Sequence, residues 1–199
     1  MSYIPVKPTK KQRLLDQGVA LLMEKGYHGS GLKEILETVQ IPKGSFYTYF
    51  DSKEQFAAAA IVHYIEPFIA RLSGHLQNPQ LNGLQALQLY YQELILEVER
   101  HGFKGGCLLG NLMGEIGDTS SLCREALQTT VKRYCDLQAS ALLRGQQQGV
   151  VRSDRSAASM ADAMFNAWQG ALLRMKVEHS LQPLIDCCDQ LLGDYFRQP

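Results

Sequence analysis

Apolar positions along the chain recur with the period of a helix and almost nowhere with the alternation of a strand. After Pro8 and Thr9, the residues Leu15, Val19, Leu22 and Met23 form an i, i+4, i+7, i+8 stripe that predicts an amphipathic helix. Gly26 is expected to end it, as glycine commonly does at a helix C-terminus. Leu32, Ile35, Leu36 and Val39 predict a second helix of about two turns. Pro42 fits the start of a third, where a missing N–H leaves no bond unmade, and Phe46 and Phe50 mark its inner side. Asp51 or Ser52 is placed to cap a long fourth helix, in which Pro67 is a candidate kink. Asn78-Pro79 and Asn82-Gly83 punctuate the chain before a helix over 83–101, which His101-Gly102 closes. A short glycine-interrupted segment covers 107–117. Asp118, Thr119 or Ser120 then caps a helix over 120–149, and two more are expected over 156–179 and 181–196. The pattern predicts an all-α fold of about nine helices.

Short helices followed by long ones suggest two parts, residues 1–53 and residues 54–199. With 45% hydrophobic and 20% charged residues, the composition excludes disorder. No apolar run approaches the ~20 residues of a spanning helix, and the opening MSYIPVKPTKKQR lacks the apolar stretch of a signal peptide. A cytoplasmic protein without membrane contact is expected. The five cysteines, Cys107, Cys123, Cys135, Cys187 and Cys188, form an odd set without a CxxC pair, which fits reduced thiols. Overall charge is balanced, but residues 1–53 hold eight basic against five acidic side chains, a net of +3, and the remainder carries −3. A basic end is what phosphate neutralisation needs, although a solvated helical face has the same composition.

The spacing over residues 32–50 carries the first functional argument. Two short helices joined by Gln40-Ile41-Pro42 have the outline of a helix-turn-helix, whose second helix enters the major groove of DNA. With Phe46 and Phe50 inward, that helix presents Lys43, Gly44, Ser45, Tyr47, Thr48 and Tyr49. Lysine reaches a guanine edge or a phosphate, hydroxyls bond phosphate oxygens, and tyrosine rings touch thymine methyls. A tight helical hairpin with a tyrosine-rich face satisfies the same spacing.

Gly26-Tyr27-His28-Gly29-Ser30-Gly31-Leu32-Lys33-Glu34-Ile35 and the block from Lys43 to Glu54, KGSFYTYFDSKE, closely resemble the DNA-binding domain of the TetR (tetracycline repressor) family. The close resemblance covers about residues 10 to 56; beyond it the family shares helix layout more than sequence. It implies a homodimeric repressor whose C-terminal domain binds a small effector and so releases a palindromic operator. By position, Lys43, Ser45 and Tyr47 are implied to face the groove, Tyr49 and Lys53 to contact phosphates, and Ser30 to open the second helix as a hydroxyl contact. Gly31 stands where the family has a second hydroxyl, and Gln40 where it often has a turn glycine. A left-handed Gln40 would carry ~1 kcal/mol of strain.

Gly106-Cys107-Leu108, with Glu115 further on, resembles the branch of the family that responds to electrophiles such as N-ethylmaleimide or small unsaturated acids. Cys107 is expected near the N-terminus of the sixth helix, as a sensor thiol or as a small buried packing residue. Lys176 aligns with a lysine of the same branch, able to pair with an effector carboxylate or to stand in solvent. Trp168 lies in a helix with small residues at 163, 167, 170 and 171, suited to close approach in a dimer; it lines either the interface or the pocket. Leu181, Leu184, Ile185, Cys188, Leu191, Leu192, Tyr195 and Phe196 supply a partner stripe on the last helix. A different class of function, a detoxifying enzyme with Cys107 as nucleophile, needs a base near the thiol, and the five histidines show no paired spacing. For the same reason no metal site and no cofactor is expected.

Overall fold

The computed structural model describes residues 8–198, and most of the N-terminal stretch read above for a signal segment lies outside them. Nine α-helices follow in order: α1 Lys10–Gly29, α2 Leu32–Val39, α3 Lys43–Tyr47, α4 Lys53–Gln77, α5 Gly83–Arg100, α6 Leu108–Ile116, α7 Ser121–Gln147, α8 Ala157–Glu178 and α9 Gln182–Cys188. Among the described residues no strand forms; an isolated antiparallel bridge joins Val151 and Arg197.

Side-chain oxygens set five of the helix starts, at Ser52 and Ser120 among the candidates the sequence offers. Thr9 and Gln12 form a reciprocal capping box on α1, and Asn82 and Gln85 form another on α5. Ser52 caps α4, Ser120 caps α7 and Ser156 caps α8, each taking an otherwise orphaned N–H of the first turn. Gly26 breaks α1 as expected (φ 71°, ψ −178°), yet Tyr27–Gly29 add a further turn beyond the break. Gln40 is left-handed (φ 53°, ψ 43°), so the turn between α2 and α3 does carry the strain foreseen for a non-glycine there. The α4 helix runs unbroken through Pro67. The last predicted helix is divided: α9 passes at Asp189 into a π-helical segment through Tyr195. This wider winding brings Phe196 fully into the core, where its carbonyl accepts the Arg152 N–H at 3.0 Å and the chain closes on residues 150–152.

Packing turns on α4 and α7. Phe46 and Phe50 of the α3 region meet Phe56 of α4 at ring-centroid distances of 5.5 and 5.1 Å, which fixes the helix-turn-helix to the long helix. The other side of α4 lies along α7, and α5 and α8 flank α7. One contiguous buried cluster therefore runs from Leu14 of α1 to Phe196.

Candidate functional site

The α3 face is arranged as the sequence predicts. Phe46 and Phe50 are buried, Tyr47 is 48% exposed, Lys43, Gly44 and Thr48 are exposed, and Ser45 and Tyr49 are partly so. The two aromatic anchors hold a five-residue helix that has too few turns to be stable alone.

Ser30 departs from expectation. It is 2% exposed and its hydroxyl donates to the Tyr27 carbonyl at 3.0 Å, so it faces inward, and Gly31 is the N-cap of α2. Lys53 stands at the start of α4, but its ammonium donates to the same Tyr27 carbonyl and lies 4.3 Å from the centre of the Tyr27 ring. Partial burial lowers its pKa, an effect that the Glu115 carboxylate opposes. The free protein thus turns both residues toward one peptide group rather than toward solvent.

Behind the helix-turn-helix lies a cavity of about 570 Å³ bounded by α1, α4, α5, α6, α7 and α8. Ala20 and Met23 of α1 form one wall, Phe68 and Val98 another, and Phe165 and Trp168 a third. Glu24, Glu97, His101 and Lys104 bring polar groups to the lining. Trp168 is buried, lines the cavity and packs edge-on against Tyr91 at 4.8 Å. A larger open groove, about 700 Å³ between α6, α7 and α8, holds none of the candidate residues.

Cys107 is the N-cap of α6 and lines the cavity, half-buried. Tyr64 lines the same cavity, and burial holds its phenol well above the ordinary tyrosine range, with the neighbouring Cys107 adding to the effect. Lys176, partly buried, packs over Gly106, and its ammonium donates to Asn111 Oδ1 at 3.2 Å. Burial lowers its pKa, and the nearby Cys107 works the other way. The structure therefore brings Cys107, Lys176 and Trp168 to one region, from helices more than sixty residues apart.

Sequence reasoning missed a group of tyrosines beside them. Tyr90 and Tyr134 share a hydroxyl–hydroxyl bond of 2.8 Å, and Tyr91 donates to Gln138 Oε1 at 2.6 Å. Each of these three phenols is buried, which raises its pKa well above 10. No spacing signal reveals the group, because α5 and α7 contribute to it separately. Among the described residues no cluster of three or more His, Cys, Asp or Glu is placed to hold a metal ion.

Two family models match the chain: bacterial regulatory proteins of the tetR family over residues 14–60, and the tetracyclin repressor-like C-terminal domain over residues 83–191. The chain belongs to the TetR family. The transcriptional repressor DhaR of Mycobacterium sp. strain GP1 is 30% identical to this TetR-family chain, over 94% of the chain and 90% of DhaR. The repressor NemR of Escherichia coli K12 is 32% identical over 87% of each. The regulator AcuR of Cereibacter sphaeroides is 35% identical over 87% of this chain and 79% of its own. Among solved structures, the reduced form of E. coli NemR superposes with a TM-score of 0.87 at 30% identity, covering 96% of this chain and 98% of its own. This TetR-family protein is accordingly a helix-turn-helix DNA-binding regulator. No helix among its described residues is long and apolar enough to cross a membrane.

Proposed function

We propose that this protein is an effector-responsive transcriptional repressor that leaves its operator when a small electrophile or ligand enters the cavity. The observation that carries the reading is the cavity itself: Cys107 opens into it, and α1 of the DNA-reading head forms one of its walls. An occupant touches the reading head as directly as it touches the sensor.

Lys43, Ser45, Tyr47 and Thr48 face the major groove in this reading, with Tyr49 beside the backbone. Lys53 joins them as a phosphate contact by exchanging the Tyr27 carbonyl for a phosphate oxygen, a stronger acceptor for an ammonium. Ser30 is left out because its hydroxyl is buried. The repressor works as a two-fold dimer whose heads sit about one DNA turn apart, ~35 Å or more, on a pseudo-palindromic site. Cys107 is alkylated by the effector, and Lys176 pairs with an effector carboxylate where there is one. A thiol-dependent enzyme is the weaker reading: turnover needs a base held against the thiol, and among the described residues no hydrogen bond joins Cys107 to His101, the histidine of the cavity lining.

Operator binding followed during brief exposure to N-ethylmaleimide, with peptide mapping in parallel, tests this. The wild type should be released as Cys107 is modified, and Cys107→Ser should stay bound. Continued binding by fully modified protein, or equal release of the Ser variant, would end the electrophile reading. Turnover of the electrophile beyond one equivalent would favour the enzyme.

A further inference from the structure

The turn between α1 and α2 meets the effector domain through one carboxylate. Glu115, in the last turn of α6, accepts the backbone N–H of Tyr27 at 2.8 Å and that of His28 at 2.7 Å, one on each oxygen. Two consecutive N–H groups converge on one anion because Gly26 takes a positive φ of 71° and turns the chain at that point. A Cβ at Gly26 would stand 2.6 Å from Glu115 Oε2, so the glycine supplies both the conformation and the room.

The opposite side of the Tyr27 peptide is also held. Its carbonyl accepts from the Lys53 ammonium and the Ser30 hydroxyl, so α6, α4 and the start of α2 all meet at this corner. Glu115 lies near enough to Lys53 for its charge to act on the ammonium. At the other end of the same nine-residue helix, Cys107 and Leu109 line the cavity. A helix this short moves as a rod: a displacement at its first turn reappears at its last.

We infer that Glu115 is a positioning residue that couples cavity occupancy to the orientation of the DNA-reading head, through the Tyr27 and His28 amides. The inference rests on the effector reading above and adds the residue that transmits the signal. Glu115 does not line the cavity. Its role is to tie the frame of α2 and α3 to the frame of α6. A bidentate carboxylate is required, because both partners are donors; glutamine offers one acceptor and sets an N–H₂ against the second amide.

The experiment is a cycle of four operator affinities: wild type and Glu115→Gln, each before and after alkylation with N-ethylmaleimide. Val98→Trp, which fills the cavity without any thiol chemistry, provides a second pair of affinities in both backgrounds. Wild type should lose at least tenfold in affinity on alkylation or filling. In Glu115→Gln the loss should shrink to within about twofold, with Cys107 alkylated at the wild-type rate. A variant that loses as much as the wild type overturns the coupling role and leaves the effector reading intact. A wild type indifferent to both alkylation and filling overturns both. If Glu115→Gln fails to bind operator at all, amide exchange in the wild type decides. Faster exchange of the peptide over 26–31 after alkylation supports the role, and unchanged exchange alongside lost affinity overturns it.

Discussion

Burial raises the Cys135 thiol from its ordinary value of 9.0 to about 12, with Asp162 adding to the effect. Burial likewise takes Cys187 to about 11 and Cys188 to about 12, and it raises Cys123. Thiolate is the nucleophile, so these four thiols are poor targets at neutral pH, while Cys107 faces a cavity. Brief N-ethylmaleimide treatment at pH 7 should therefore label Cys107 alone, and peptide mapping that found Cys135 labelled equally fast would contradict the burial argument. The same shifts carry a sign for stability. Unfolded thiols ionise near 9, but the folded chain keeps these protons to higher pH, so over that window the folded state binds more protons. Stability is fully present below pH 9 and falls as pH rises toward 12, with the buried tyrosines adding the same slope above 10. Urea midpoints should decline steadily from about pH 9 to roughly 10.5; a flat profile would sink the claim. On the DNA side, Tyr47→Ala should cost more at the operator than on random DNA. Lys53→Met should instead weaken both alike and flatten the salt slope by about one. Equal losses on the two DNAs for Tyr47→Ala would remove that residue from the base edges.

Most helices were readable from apolar periodicity and punctuation, and two of them from a cap as well: Ser52 and Ser120 each sit where a side-chain oxygen meets a first-turn N–H. What the sequence did not disclose is how closely the helices approach. Gly83 opens α5 against α7 so tightly that a Cβ there would run into the Ala141 carbonyl oxygen, and Gly145 of α7 is beside it. The obstacle is backbone, which a rotamer change cannot relieve. Gly83→Ala should lower stability by about 1–3 kcal/mol, read as a lower urea midpoint with unchanged slope. A stability within 0.5 kcal/mol of wild type, roughly the scatter of neutral surface changes, would mean that α5 and α7 can separate freely. The π-helical segment after Cys188 was equally hidden, because it leads into a pairing with residues 150–152, forty positions upstream, that no local pattern reveals. The cavity shares that character: its thiol was visible as a motif, whereas Tyr64 of α4 and Tyr134 of α7 come together in its lining only through packing.

At the scale of the whole molecule, one surface remains to be covered. Along α8 the small residues Ala163, Ala167 and Gly170 are exposed, as close approach requires, and the same face continues into Leu173 and Val177, 58% and 83% exposed. The stripe expected on the last helix divides: Leu184, Leu192 and Phe196 are buried within the chain, while Ile185 and Tyr195 remain outside. Exposed apolar side chains on α8 and on the final segment are the faces a two-fold helical bundle would join, each copy offering the same patch to the other. The function proposed for this chain needs that bundle, because one helix-turn-helix reads only half of a palindromic site. Val177→Glu places a charge at the most exposed apolar position of the face, where a dimer would bury it without a partner and a monomer would leave it in water. Sedimentation at micromolar concentration should show a dimer for the wild type and a monomer for the variant, with the helical content of the two unchanged. Operator affinity should fall by roughly 10²–10⁴-fold, since the second half-site is no longer held at the high effective concentration that a linked partner provides. Binding to a single half-site should be untouched, because α3 and its supports in Phe46, Phe50 and Phe56 lie in the reading head. A Val177→Glu protein that remains dimeric and binds its operator normally would show that the copies meet elsewhere.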